Sequence, residues 1–135
     1  MDDELIAKAR AVRERAHAPY SRFAVGAAVR NAVGAIFVGA NVENASYPEG
    51  CCAETAAIAA MVCGTAEPAH RRIAAIAIVA DRIAGRLTTP CGGCRQRIAE
   101  FAAADAPVHV ADLAGGSRTF QIGDLLPEAF ALPGK

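Results

Sequence analysis

Residues 52–63 read Cys52-Ala53-Glu54-Thr55-Ala56-Ala57-Ile58-Ala59-Ala60-Met61-Val62-Cys63; residues 73–80 read Ile73-Ala74-Ala75-Ile76-Ala77-Ile78-Val79-Ala80; residues 90–94 read Pro90-Cys91-Gly92-Gly93-Cys94. The first run is rich in alanine, has no β-branched stretch and stops before Gly64, a residue suited to the position just past a helix end, so it predicts a helix. Apart from Glu54 and Thr55 it is apolar all round, which predicts burial on every side, in part by other subunits. The second run is continuously apolar and of strand length, the mark of a strand covered on both faces. Pro90 suits the first turn of a further helix, along which Cys94, Ile98 and Phe101 share one face.

Working outward, Leu5, Ala9, Val12 and Ala16 lie on one helical face, which predicts an amphipathic helix from near Asp3 to a stop at Pro19. His17 then falls at its end, where an imidazole favours the negative pole of the helix dipole. Ala24 to Arg30 and Ala35 to Ala40 predict a β-hairpin turning at Asn31-Ala32-Val33-Gly34, with both strands slightly weakened by Gly26 and Gly39. Residues 41–50 form a polar loop, and residues 108–111 and 118–122 are two further strands. Residues 125–130 are a turn or short helix around Pro127.

This order of elements predicts an α/β fold: one domain over residues 1–135, with a mixed five-stranded sheet in three α/β/α layers, built as a hairpin followed by βαβ units. Both central helices then begin at the carboxyl ends of strands, on the edge of an open sheet where ligands gather. That places Cys52 beside Cys91 although they are far apart in sequence.

Composition narrows the function. Hydrophobic residues make up 53% of the 135, enough to fill a core, while fourteen basic residues balance fourteen acidic ones. A zero net charge offers no broad attraction for nucleic acid or for an anionic membrane, so a small neutral ligand fits better. The chain starts Met1-Asp2-Asp3-Glu4 and has no apolar run of the roughly 18 residues a membrane span needs, which predicts a cytoplasmic protein. Its five cysteines are then reduced, and a Cys-x-x-Cys is metal-binding or redox-active rather than a structural disulfide.

Cys91 and Cys94, three apart on the first turn of a helix, can grip one ion, and Cys52 can supply a third thiolate. Helix starts and a cation both favour the thiolate form. Three protein ligands leave a fourth position for water, the pattern of a catalytic zinc site, and zinc brings the pKa of that water to about 7. Glu54, two residues past Cys52, reaches such a water without binding the metal, although an acidic residue in a first helical turn is also ordinary dipole compensation. A redox pair at Cys91 and Cys94 would leave Cys52 and Glu54 unexplained.

The combination resembles the small cytidine deaminases that act on free nucleosides. The resemblance rests on Pro19-Tyr20-Ser21-Arg22-Phe23, Asn41-Val42-Glu43-Asn44-Ala45-Ser46-Tyr47, Cys52-Ala53-Glu54, Pro90-Cys91-Gly92-Gly93-Cys94-Arg95-Gln96 and the Leu125 to Phe130 segment. It implies one Zn²⁺ per subunit on Cys52, Cys91 and Cys94, and Glu54 as the proton-moving residue in hydrolysis of cytidine and deoxycytidine to uridine and deoxyuridine with release of ammonia, a pyrimidine salvage reaction. It also implies that Asn41 and Glu43 hold the ribose, that Phe23 packs on the base, that Ala53 contributes through its backbone, and that Tyr47 belongs to the substrate pocket. Phe130 would reach a neighbouring subunit's pocket in a homotetramer.

One departure stands out. The family commonly has arginine after the catalytic glutamate, bonded to the ligand thiolates, whereas this chain has Thr55, which leaves charge compensation to one hydroxyl and two helix dipoles. Cys51 is out of register for the ligand set and reads as a buried or loop thiol, Cys63 as a core residue, and His70 and His109 as structural or solvated. Rival functions are deamination of another aminated base or analogue such as blasticidin S, a purely structural zinc module, and nucleic-acid editing. Asn41 with Glu43 argues against the first, the missing fourth protein ligand against the second, and the zero net charge against the third.

Overall fold

The computed structural model describes residues 1–134. Helix α1 (Asp3–Arg13) leads into the hairpin of β1 (Val25–Asn31) and β2 (Ile36–Ala40); α2 (Ala53–Gly64) follows, then β3 (Ile73–Ala80), α3 (Gly92–Phe101), β4 (Pro107–Ala111), β5 (Ser117–Gln121) and the short α4 (Ile122–Leu125). The five strands form one sheet in the order β2-β1-β3-β4-β5. Strand β1 is antiparallel to both β2 and β3, β3 and β4 are parallel, and β5 returns antiparallel. Because β1 opposes both neighbours, β2 and β3 run the same way. Their carboxyl ends, and hence the starts of α2 and α3, meet at one edge, as the sequence predicts.

The side-chain period of two sends alternate residues to opposite faces. On one face, Leu5, Ile6 and Ala9 of α1 rest on Ala28, Ala75, Ala77 and Val79. On the other, Ile58 and Met61 of α2 and Ile98 of α3 pack on Val29, Ile76, Ile78 and Val108. Each fully buried Ile or Met contributes on the order of 1.5–3 kcal/mol.

Gly26 and Gly39 do more than weaken strands. A Cβ on Gly26 would stand 2.8 Å from the Arg13 backbone nitrogen, and one on Gly39 would stand 2.6 Å from the Ala56 Cβ and 2.8 Å from the Ala53 oxygen. Both positions let a helix lie almost directly on the strand backbone, a close approach that only glycine permits.

Several expectations are corrected. Helix α1 stops at Arg13 rather than at Pro19, and His17 is not at its end. Instead the His17 N–H donates to the Asn41 oxygen at 2.9 Å and its own oxygen accepts from the Glu43 N–H at 2.8 Å, so pairing with the 41–43 segment takes the chain out of the helix early. Helix α2 is buried on one side only: Ala53, Glu54, Ala57, Ile58 and Met61 face inward, while Ala59 and Cys63 are exposed. Cys63 is therefore not a core residue in the single chain. Gly64 closes α2 from within, and Thr65 is the cap. Pro90 precedes the α3 cap, Cys91, and is fully buried. His109 is structural, buried under α1 with its Nδ1 2.8 Å from Thr119 Oγ1, and burial lowers its pKa.

Candidate metal centre

Cys52 and Cys91 are the caps of α2 and α3, each with an extended backbone that turns into the first helical residue. Cys94 lies one turn into α3 and is fully buried, held by the same packing that fixes Ile98. The three sulfurs all lie within 4.8 Å of one another. A tetrahedral zinc with bonds of about 2.3 Å sets its sulfurs roughly 3.8 Å apart, so the donor set fits in number, chemistry and spacing.

The thiols differ electrostatically. The Cys94 N–H at the start of α3 faces the Cys91 sulfur and lowers its pKa, an electrostatic contact rather than a closed cap hydrogen bond. Burial pushes Cys52 and, much further, Cys94 above the ordinary thiol range, and the negative charges of Glu54 and the neighbouring thiols raise Cys94 again. A thiol raised in this way ionises readily only when a cation is present, which couples metal binding to proton release.

Glu54, on the inward face of α2, is 6% exposed. Burial raises its pKa, partly offset by its own backbone N–H, the Cys94 thiol and the Arg97 guanidinium. A carboxyl displaced upward by desolvation beside a polar cluster is suited to taking up and releasing protons near neutral pH.

A cleft of about 440 Å³ opens against Cys52. Tyr20, Ser21, Asn41, Glu43, Tyr47 and Cys51 are among its walls. Asn41 is pinned at both ends: its Nδ2 donates to the Phe23 oxygen and its Oδ1 accepts from the Val25 N–H, each at 2.8 Å. Glu43 Oε1 accepts from the Tyr20 and Ser21 N–H groups at 3.0 and 3.1 Å, and its Oε2 accepts a short bond from the Ser21 hydroxyl. These donors hold its carboxylate below the ordinary range, the Ser21 hydroxyl most of all. They also stabilise the turn at Arg22, whose left-handed φ of 57° costs a non-glycine residue about 1 kcal/mol or more. Tyr47, 74% exposed, meets the Tyr20 ring with centroids 5.9 Å apart.

The sequence-predicted residues therefore divide. Cys52, Cys91, Cys94 and Glu54 converge, and Asn41, Glu43 and Tyr47 share the adjoining cleft. Ala53 is buried beside them at the first turn of α2. Phe23 is half-buried and not among the cleft walls, and Phe130 is 70% exposed, with its backbone oxygen accepting from Gln96 Nε2 at 3.1 Å.

Sequence reasoning missed two arginines. Arg95 donates to the Pro90 oxygen at 2.7 Å, to Thr89 Oγ1 at 3.0 Å and to the Leu125 oxygen at 2.9 Å, tying the α3 start to the C-terminal segment. Arg97 Nη1 donates to Cys94 Sγ at 3.7 Å, so the cationic donor to a ligand sulfur comes from α3 and not from position 55. Arg95 lies inside the Pro90–Gln96 motif that carries the resemblance but had no role assigned to it, and the only signal for Arg97 was its spacing of three residues from Cys94.

Known proteins give the same answer. Residues 1–110 match the model of the cytidine and deoxycytidylate deaminase zinc-binding region. The chain belongs to that family. A cytidine deaminase of Halalkalibacterium halodurans is 43% identical over 126 residues, covering 93% of this chain and 91% of that one, and one of Mycobacterium tuberculosis is 40% identical over 121 residues, covering 87% and 80%. The crystal structure of a cytidine deaminase from Burkholderia pseudomallei superimposes with a TM-score of 0.87 at 41% identity, over 96% of this chain and 99% of that one. Zinc is thus the cofactor of the family fold into which the thiol cluster is built.

Proposed function

We propose that this protein is a cytidine deaminase, hydrolysing cytidine and deoxycytidine with water to uridine or deoxyuridine and ammonia. The observation that carries the proposal is the clustering of three sulfurs beside one buried carboxyl, with one of the sulfurs, that of Cys52, in the wall of a cleft lined by Asn41 and Glu43. Cys52, Cys91 and Cys94 would hold the zinc, which would supply Lewis-acid activation of water.

The remaining work belongs to side chains. Glu54 accepts one proton of the attacking water and passes it to the ring N3, then takes the remaining proton from the new C4 hydroxyl as the C4 carbonyl forms and hands it to the departing amino group, so both water protons leave on the products, one on N3 and one on ammonia. Burial of Glu54 supports this role by raising its proton affinity above that of an ordinary carboxylate. Asn41 retains one N–H and one lone pair beyond its bonds to Phe23 and Val25, enough to orient a sugar hydroxyl. Glu43 faces the same cleft as a fixed carboxylate, and the Tyr47 ring offers an apolar face. Phe23 backs this arrangement through its carbonyl, which accepts from Asn41 Nδ2, and a ring contact with the base would require it to turn toward the cleft.

Residues 1–135 act as one cytoplasmic domain, a setting that keeps the thiols reduced. The exposed outer side of α2 and the exposed Phe130 ring support a homotetramer in which Phe130 enters a neighbour's cleft, and a solution mass equal to one chain with full activity would overturn that assembly. The deciding experiment measures metal content and ultraviolet absorbance loss with cytidine on one preparation, beside blasticidin S. Zinc near one per chain with cytidine turnover is expected; turnover of blasticidin S alone would move the substrate class.

A further inference from the structure

We infer that Arg97 is the charge-compensating and positioning residue of the metal centre, donating to the Cys94 sulfur from α3 at the groove between α3 and α2. The inference rests on the ligand set proposed above. Three thiolates on a divalent ion leave a net charge of −1, and Glu54 lies beside them, so a local cation has a defined electrostatic task. Arg97 is three residues past Cys94, one turn along the same helix, and its Nη1 donates to the Cys94 sulfur at 3.7 Å.

Two independent features place the guanidinium there. It folds back over the first turn of α3, where a Cβ on Gly93 would stand 3.1 Å from Nη1, so the missing side chain at Gly93 leaves room for the approach. It also borders the groove between α2 and α3 together with Thr55, the first-turn residue of the opposite helix. One arginine on α3 thus supplies a cation at the groove that Thr55 borders from α2, and Thr55 needs no cationic side chain. A donor on a ligand sulfur withdraws electron density from the metal bond and fixes the sulfur's orientation, and loss of such an outer partner typically weakens metal binding by about 10- to 100-fold.

The test uses the zinc-loaded enzyme and its cobalt-substituted form. In Arg97→Met, zinc should pass to a competing chelator about 10-fold faster or more, and the sulfur-to-cobalt charge-transfer band should move. Arg97→Lys should restore part of the zinc retention. The double variant Arg97→Met with Thr55→Arg should restore more, because the new cation enters the same groove from the other helix. Far-ultraviolet circular dichroism of each variant separates these effects from misfolding. Wild-type zinc content with an unchanged cobalt band in Arg97→Met would overturn the inference while leaving the ligand assignment intact. A wild-type protein that binds no zinc, or a Cys94→Ser variant that still binds it normally, would overturn the ligand assignment and the inference with it.

Discussion

The starts of α2 and α3 are built alike and charged unlike. Each is capped by a cysteine at a strand's carboxyl end and each turns its first residues toward the same point. Yet α2 carries the acid, Glu54, in its first turn, whereas the first two turns of α3 carry no acid and present Arg95 and Arg97. On the roles proposed above, the difference assigns proton handling and charge balance to separate helices. Cys94, the buried thiol on α3, has the environment least able to hold a bare negative charge, and it is the sulfur that receives the guanidinium.

The comparison can be broken most severely at Cys94. Cys94→Ser should bring zinc content, read by atomic absorption, close to zero, abolish cytidine turnover and lower the melting temperature, because metal binding energy is also folding energy. Glu54→Gln tests the other helix start. Turnover should fall by about 10²- to 10⁴-fold while zinc content remains at wild-type level, separating the proton carrier from the ligand shell.

A milder test displaces one start against the other. Gly39→Ala puts a methyl group into the first turn of α2, 2.6 Å from the Ala56 Cβ, and should cost about 1–3 kcal/mol in chemical denaturation. Zinc should then exchange faster although no ligand has changed. The smallest effect lies on the far wall of the cleft, at Glu43, where the metal is not involved. Its folded pKa is depressed by the Ser21 hydroxyl and the Ser21 and Tyr20 N–H groups. The stability it contributes is therefore present above its unfolded pKa, about 4.3, and is lost as pH falls through the lower folded value. The melting-temperature gap between wild type and Glu43→Gln should be constant near neutrality and close at strongly acidic pH.

How far these features can be read from the sequence depends on whether their causes are local. Strand β3 is legible because eight consecutive apolar residues state burial on both faces, and the cysteine spacing is legible because a helical turn fixes which residues face one another. The early end of α1 is not, since it is decided by His17 pairing with a segment more than twenty residues away. The close helix contacts at Gly26 and Gly39 also escape, because a glycine in a strand reads as a cost until the helix above it is known. Cys63 misled through composition: an all-apolar helix implies a cover, and one chain supplies it on one side only. Arg97 was hidden because its partner is a sulfur, and sequence patterns pair arginine with carboxylates.

The knot between Glu43 and the Tyr20-Ser21 backbone has a further consequence. Both carboxylate oxygens are already occupied, by two amides and one hydroxyl. A sugar hydroxyl arriving at Glu43 would therefore find one acceptor site left, on Oε2, and would either share that oxygen with Ser21 or displace it, trading one hydroxyl for another of nearly the same strength. Displacement would yield little net affinity, so on the proposed role of Glu43 discrimination at this carboxylate would come from how well the incoming hydroxyl reproduces Ser21's position, by mimicry rather than by attraction.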